Sequence, residues 1–151
     1  MSDVNLYDVQ TKRDPDRPAG YGVGRVRVGE LIGASALGLS VYDIPPGEST
    51  FPYHYEFARE EWLLVLTGRP TLRDPDGEHV LEPGDLVLFP EGEEGAHKVT
   101  NKSDEVARIA ILSNKDEPSV TLYPDSGKIG FWPAGKLFRL ADEVDYFAGE
   151  T

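Results

Sequence analysis

The chain contains no cysteine, which excludes disulfides and thiolate metal sites. Histidine is scarce: three copies leave only His54, His79 and His97 to carry imidazole chemistry. No apolar run approaches the roughly 20 residues that a membrane-spanning helix needs. The N-terminal stretch MSDVNLYDVQTKRD lacks the basic-then-apolar pattern of a secretory leader. The expectation is therefore no membrane association and, by default, a cytoplasmic location. Positive charge is also short, with 15 Lys and Arg against 27 Asp and Glu and a formal net charge of -12. That average field repels a phosphate backbone, so nucleic acid is not an expected partner. The simplest use of the excess charge is solubility.

What the chain has in quantity is punctuation, with 16 Gly and 12 Pro among 151 residues. Turn signals recur about every ten residues, as in an all-β sandwich or barrel. Val26 and Val28 alternate with Arg25 and Arg27, a period-2 pattern for a half-buried strand. Residues 36–42 form another strand candidate, ended by Pro45-Pro46-Gly47. Residues 62–66 are apolar throughout and read as a strand covered on both faces. Residues 71–73 run into the turn Asp74-Pro75-Asp76-Gly77, and residues 79–81 into Pro83-Gly84-Asp85. Residues 86–89, 106–112 and 120–123 complete the set. Leu140, Val144 and Phe147 are spaced i, i+4, i+7, which predicts a short C-terminal helix packed on the barrel. The chain reads as one domain, 1–151, with a barrel core at about 25–124, an N-terminal arm at 1–24 and a C-terminal extension at 125–151.

Two segments gather residues able to do chemistry: PGESTFPYHYEFAREEWLLVLTG and PGDLVLFPEGEEGAHKVTN. If residues 53–56 are extended, His54 and Glu56 face the same way with Cα atoms roughly 6.5 Å apart. Two such side chains can converge on one ion. A bend at 57–60 would bring Glu61 beside them, whereas His97 must arrive from another strand. Each residue alone is equally well explained as a surface or hydrogen-bonded group. Tyr53, Tyr55, Phe57 and Trp62 surround the first segment and read as core or dimer interface.

The spacing of these segments resembles the two motifs of the cupin superfamily. In the first, Pro46-Gly47 is followed after six residues by His54-x-Glu56, after four by Glu61 and after six by Gly68. In the second, Gly84 is followed after five residues by Pro90-x-Gly92, after four by His97 and after three by Asn101. Tyr123 to Lys128, YPDSGK, resembles a segment of uncharacterised single-domain cupins. The resemblance implies a double-stranded β-helix, or jelly-roll barrel, with a divalent metal ion held by His54, Glu56, Glu61 and His97. Glu56 stands where the family usually has a second histidine. The first motif is one residue longer than usual, and the second has two extra residues before His97.

The oxygen-rich donor set favours Mn²⁺ or Fe²⁺ relative to Cu²⁺ and keeps Zn²⁺ open. Glu56 has three open roles: metal ligand, general base beside a three-ligand ion, or mark of a site without metal. Arg59, Lys98 and Lys128 are candidates for a substrate carboxylate or phosphate. The expected activity is that of a metal-dependent isomerase, dioxygenase or decarboxylase acting on a small polar molecule. A sugar- or small-ligand-binding module without catalysis is the alternative. A homodimer is expected.

Overall fold

The computed structural model describes residues 3–151, so the first two residues of the expected N-terminal arm lie outside the described residues. The architecture is all-β, with every strand pairing antiparallel. The strands are β1 (Lys12–Arg13), β2 (Gly24–Arg27), β3 (Leu37–Ile44), β4 (Tyr55–Phe57), β5 (Glu61–Thr67), β6 (Thr71–Asp74), β7 (Gly77–Val80), β8 (Leu86–Phe89), β9 (Lys98–Thr100), β10 (Ala107–Asn114), β11 (Ser119–Tyr123), β12 (Lys128–Trp132) and β13 (Lys136–Arg139). They form a six-stranded sheet ordered β1-β2-β3-β10-β5-β8, a four-stranded sheet ordered β13-β12-β11-β4 and a three-stranded sheet ordered β7-β6-β9.

Period-2 alternation explains the main core. Tyr42 and Ile44 of β3, Leu63 and Val65 of β5, and Ile109 and Ile111 of β10 point to one face of the large sheet. There they meet Leu72, Phe89 and Val99, the last two from β8 and β9. The opposite face of the same strands carries Val41, Leu66 and Ala110. It is covered by Val4, Leu6 and Val9 from the N-terminal segment together with Val26 and Val28. Residues 63–66 of β5 are thus apolar without a break because both faces of the strand are covered there, whereas Trp62 is exposed.

The turns follow their chemistry. The Asp74 carboxylate accepts hydrogen bonds from the amides of Asp76 and Gly77, at 2.9 and 3.1 Å, closing the β6–β7 hairpin. Gly68 has a φ of 77°, and a Cβ there would lie 2.7 Å from the Ala107 Cα. Only glycine fits between β5 and the start of β10.

Three expectations are corrected. The strand containing Val26 ends at Arg27, and Val28 opens a short helical turn, Val28–Leu31. The C-terminal helix is not formed: Leu140–Asp142 is a single 3₁₀ turn, and Leu140, Val144 and Phe147 are exposed. The apolar stripe has no surface to cover, and a helix so short is marginal without tertiary packing. The region after residue 124 instead supplies β12 and β13, which extend the four-stranded sheet outward from β11.

Candidate metal centre and its cavity

His54 and His97 are joined by an isolated antiparallel bridge. The His54 amide donates to the His97 carbonyl at 3.1 Å, and the His97 amide to the His54 carbonyl at 2.8 Å. Residues paired in this way project side chains to the same side of the ladder. The two imidazoles therefore meet, with ring centroids 4.6 Å apart. The His97 ring also stacks on Phe89 at 3.7 Å, and both histidines are buried.

Their tautomers follow from their partners. His54 Nδ1 lies 2.9 Å from the Pro52 carbonyl oxygen, and His97 Nδ1 lies 2.9 Å from the Gly95 carbonyl oxygen. A carbonyl only accepts, so Nδ1 carries the hydrogen in both rings and each Nε2 presents a lone pair. Gly95 is held tightly: a Cβ there would fall 1.8 Å from the Pro90 carbonyl oxygen. The two extra residues of the second motif thus fall in a loop whose close approach fixes the carbonyl that orients His97.

Glu61, at the first position of β5, completes the group. One donor atom from each of His54, Glu61 and His97 lies within 4.8 Å of the other two. Glu61 Oε2 is 3.6 Å from His97 Nε2. Burial and the neighbouring His54 push the His97 pKa down to about 3, against the pull of the Gly95 carbonyl. His97 is therefore neutral, and its contact with Glu61 is not an ion pair. Burial likewise lowers the His54 value, with the Glu56 carboxylate opposing it. Burial and the Glu56 charge raise the Glu61 carboxyl to about 7, although Arg59 pulls it down.

Two outward lone pairs and a buried carboxylate that gains from a nearby cation are what a divalent ion requires. Donors sharing one ion lie at most about 4.4 Å apart, so small side-chain rotations close the group. His54, Glu61 and His97 fit a metal, and two imidazoles with one carboxylate suit Zn²⁺, Mn²⁺ or Fe²⁺.

Glu56 lies beside this trio but is not among the three converging donors. It sits on β4 opposite Thr121 of β11. The Thr121 hydroxyl donates to Glu56 Oε1 at 2.9 Å and itself accepts from the Trp132 indole at 2.9 Å. Glu56 Oε2 is buried with no hydrogen-bond partner, and Arg59 Nε stands 3.7 Å from it.

His54, Glu56, Arg59 and Glu61 line one cavity of about 620 Å³, whose walls include Tyr42, Phe51, Tyr123 and Trp132. Of the other basic candidates, Lys98 lies elsewhere. It lines a second hollow, with its ammonium 5.6 Å from the Tyr21 ring. Lys128 sits over the outer ring of Tyr123 at 5.3 Å and does not line the cavity. Tyr55 is buried, while Phe57 and Trp62 are exposed. Sequence reasoning missed Thr121 and Trp132, which carry no motif and reach Glu56 only through sheet register. In the structure Glu91 accepts from the Ala58 amide at 2.8 Å and so holds the bend that carries Arg59.

Residues 40–113 match the family described as Cupin domain. The chain contains a cupin domain. No curated protein matches it. Among solved structures, this cupin resembles a candidate sugar phosphate isomerase from Acidithiobacillus ferrooxidans, at 24% identity and a TM-score of 0.82, over 93% of this chain and 91% of the other. It is similar to a sugar phosphate isomerase of the cupin superfamily from Silicibacter pomeroyi, at 22% identity and a TM-score of 0.82, over 95% and 96%. A polyketide cyclase from Streptomyces resistomycificus shares 22% identity with a TM-score of 0.63, over 79% and 83%. At these identities the likeness is one of fold.

Proposed function

We propose that this cupin is a divalent-metal enzyme that moves a proton between neighbouring positions of a small hydroxy-carbonyl substrate, an isomerase-type reaction. His54, Glu61 and His97 would hold the ion, which when bound polarises a substrate oxygen as a Lewis acid. The observation that carries the reading is the free Glu56 Oε2, buried at the wall of the same cavity as His54 and Glu61.

Glu56 has the features of a proton carrier. Its Oε1 is fixed by Thr121, whose own oxygen is filled by the Trp132 N–H, so the Thr121 hydrogen points to Glu56. That leaves Oε2 to accept a proton from one substrate carbon and return it to the next. Arg59 Nε stands 3.7 Å from Oε2. Tyr42, Phe51 and Tyr123 supply an apolar wall that limits water around the exchanged proton. The transfer needs no external oxidant or reductant. Two of the compared structures carry an isomerase description, which agrees with this class without establishing it.

The test is solvent hydrogen exchange. Metal-loaded protein is incubated in D₂O with a panel of small aldoses, ketoses and their phosphates, and carbon-bound deuterium is followed by NMR. The proposal expects exchange that stops on chelation and falls about 100-fold or more in Glu56→Gln. Tight ligand binding with no exchange in any member of the panel would instead identify a non-catalytic binding module.

A further inference from the structure

Alternation along β2 places Arg25 and Arg27 on one face and Val26 on the other. The valine packs on the cluster of Val41, Leu66 and Ala110, so the arginines lie on the side that lines the cavity, Arg25 partly buried and Arg27 exposed. Arg27 is satisfied by Glu30, 2.9 Å away. Arg25 makes no salt bridge to any described residue; it pairs across the strands with Tyr42 and lies near its hydroxyl. Arg59 lines the same cavity, with a buried Nε that has no hydrogen-bond partner. In a chain with a net charge of -12, Arg25 has no salt-bridge partner among the described residues and Arg59 has only a 3.7 Å contact with Glu56 Oε2, so both guanidinium groups keep donors free in one cavity. The guanidinium fork matches an oxyanion.

We propose that Arg25 and Arg59 bind an oxyanion carried by the substrate, a phosphate ester or a carboxylate, within the cavity that holds the metal donors. This rests on the reading of the cavity as a substrate site and adds the charge class of the substrate.

Calorimetric titration with inorganic phosphate, and separately with acetate, tests it on the full chain in metal-free and Zn²⁺-loaded forms. At least one anion binds the wild type, and its affinity falls about tenfold or more in both Arg25→Gln and Arg59→Gln. The anion that binds more tightly identifies phosphate or carboxylate as the source. Zn²⁺ affinity and the thermal midpoint stay unchanged in Arg25→Gln, and Arg25→Lys provides a charge-retaining variant with an intermediate loss. Absence of binding by both anions, or binding unaffected by the two Gln substitutions, overturns the proposal. Arginine-dependent anion binding in a protein that takes up no Zn²⁺ would overturn the metal assignment and leave this one standing.

Discussion

His54 and His97 exchange both of their backbone hydrogen bonds, and each ring is held through Nδ1 by a carbonyl two residues earlier in the chain. One bridge sets the distance between the imidazoles, and two short loops set which nitrogen faces inward. The candidate metal centre is therefore built by backbone geometry, which orients both imidazoles without any ion.

The buried Glu61 makes stability depend on pH in a definite direction. Its ordinary value of 4.5 rises to about 7 in the fold. A carboxyl raised in this way stabilises the fold below pH 4.5 and loses that contribution as pH rises to 7. His97, lowered to about 3 from 6.5, acts oppositely, and its stabilising neutral form is lost as pH falls through that range. Comparing Glu61→Gln with wild type isolates the first effect. In chelator, the stability difference from urea unfolding should move in favour of the variant by on the order of 3 kcal/mol between pH 4.5 and 7, then level off. A difference that does not change with pH would show that Glu61 titrates normally.

Asn101, the last residue of the second motif, is a structural pin. It is fully buried. Its Nδ2 donates to the carbonyls of Ile44 and Glu105 at 2.7 and 2.6 Å, and its Oδ1 accepts from the Ser103 amide and hydroxyl. Asn101→Ala strands several of these groups and should destabilise the fold by about 2–4 kcal/mol. Ser103→Ala removes one donor near the surface and should cost less than about 1 kcal/mol. Equal midpoints for the two variants in urea would contradict this role.

Pairing of the chain with a second copy is expected through β8. This strand forms an edge of the large sheet. Leu86 and Leu88 are more than half exposed, and Leu88 lies opposite the exposed Trp62. Unpaired edges with apolar side chains invite association. Light scattering at micromolar concentration should give a dimer mass for the wild type and a monomer for Leu86→Lys/Leu88→Lys. A monomeric wild type would refute pairing.

Much of the site was legible because motif spacing encodes it. The Pro-Gly turn, Gly68 and Asn101 recur where backbone geometry demands them, and His54, Glu61 and His97 follow in register. The β5 segment was readable as covered on both faces because its apolar run leaves no solvent side. Other features depend on tertiary context. Val26 and Arg25 alternate, but alternation does not say which face looks into a cavity. Ile129 and Phe131 alternate too, yet the stripe of Leu140, Val144 and Phe147 drew the reading toward a helix that has no partner to pack on. Glu56 pairs with Thr121 only through sheet register, which no local pattern contains.

The central claim is that His54, Glu61 and His97 form the metal centre while Glu56 stands outside it. Titration of chelator-treated protein with Zn²⁺ and Mn²⁺, followed by calorimetry and elemental analysis, tests it most directly. The account predicts one ion per chain, loss of about 100-fold or more in affinity for His54→Ala, Glu61→Gln and His97→Ala, and less than about tenfold for Glu56→Gln. Absence of stoichiometric binding by the wild type, or a loss in Glu56→Gln as large as in the other three, would contradict it.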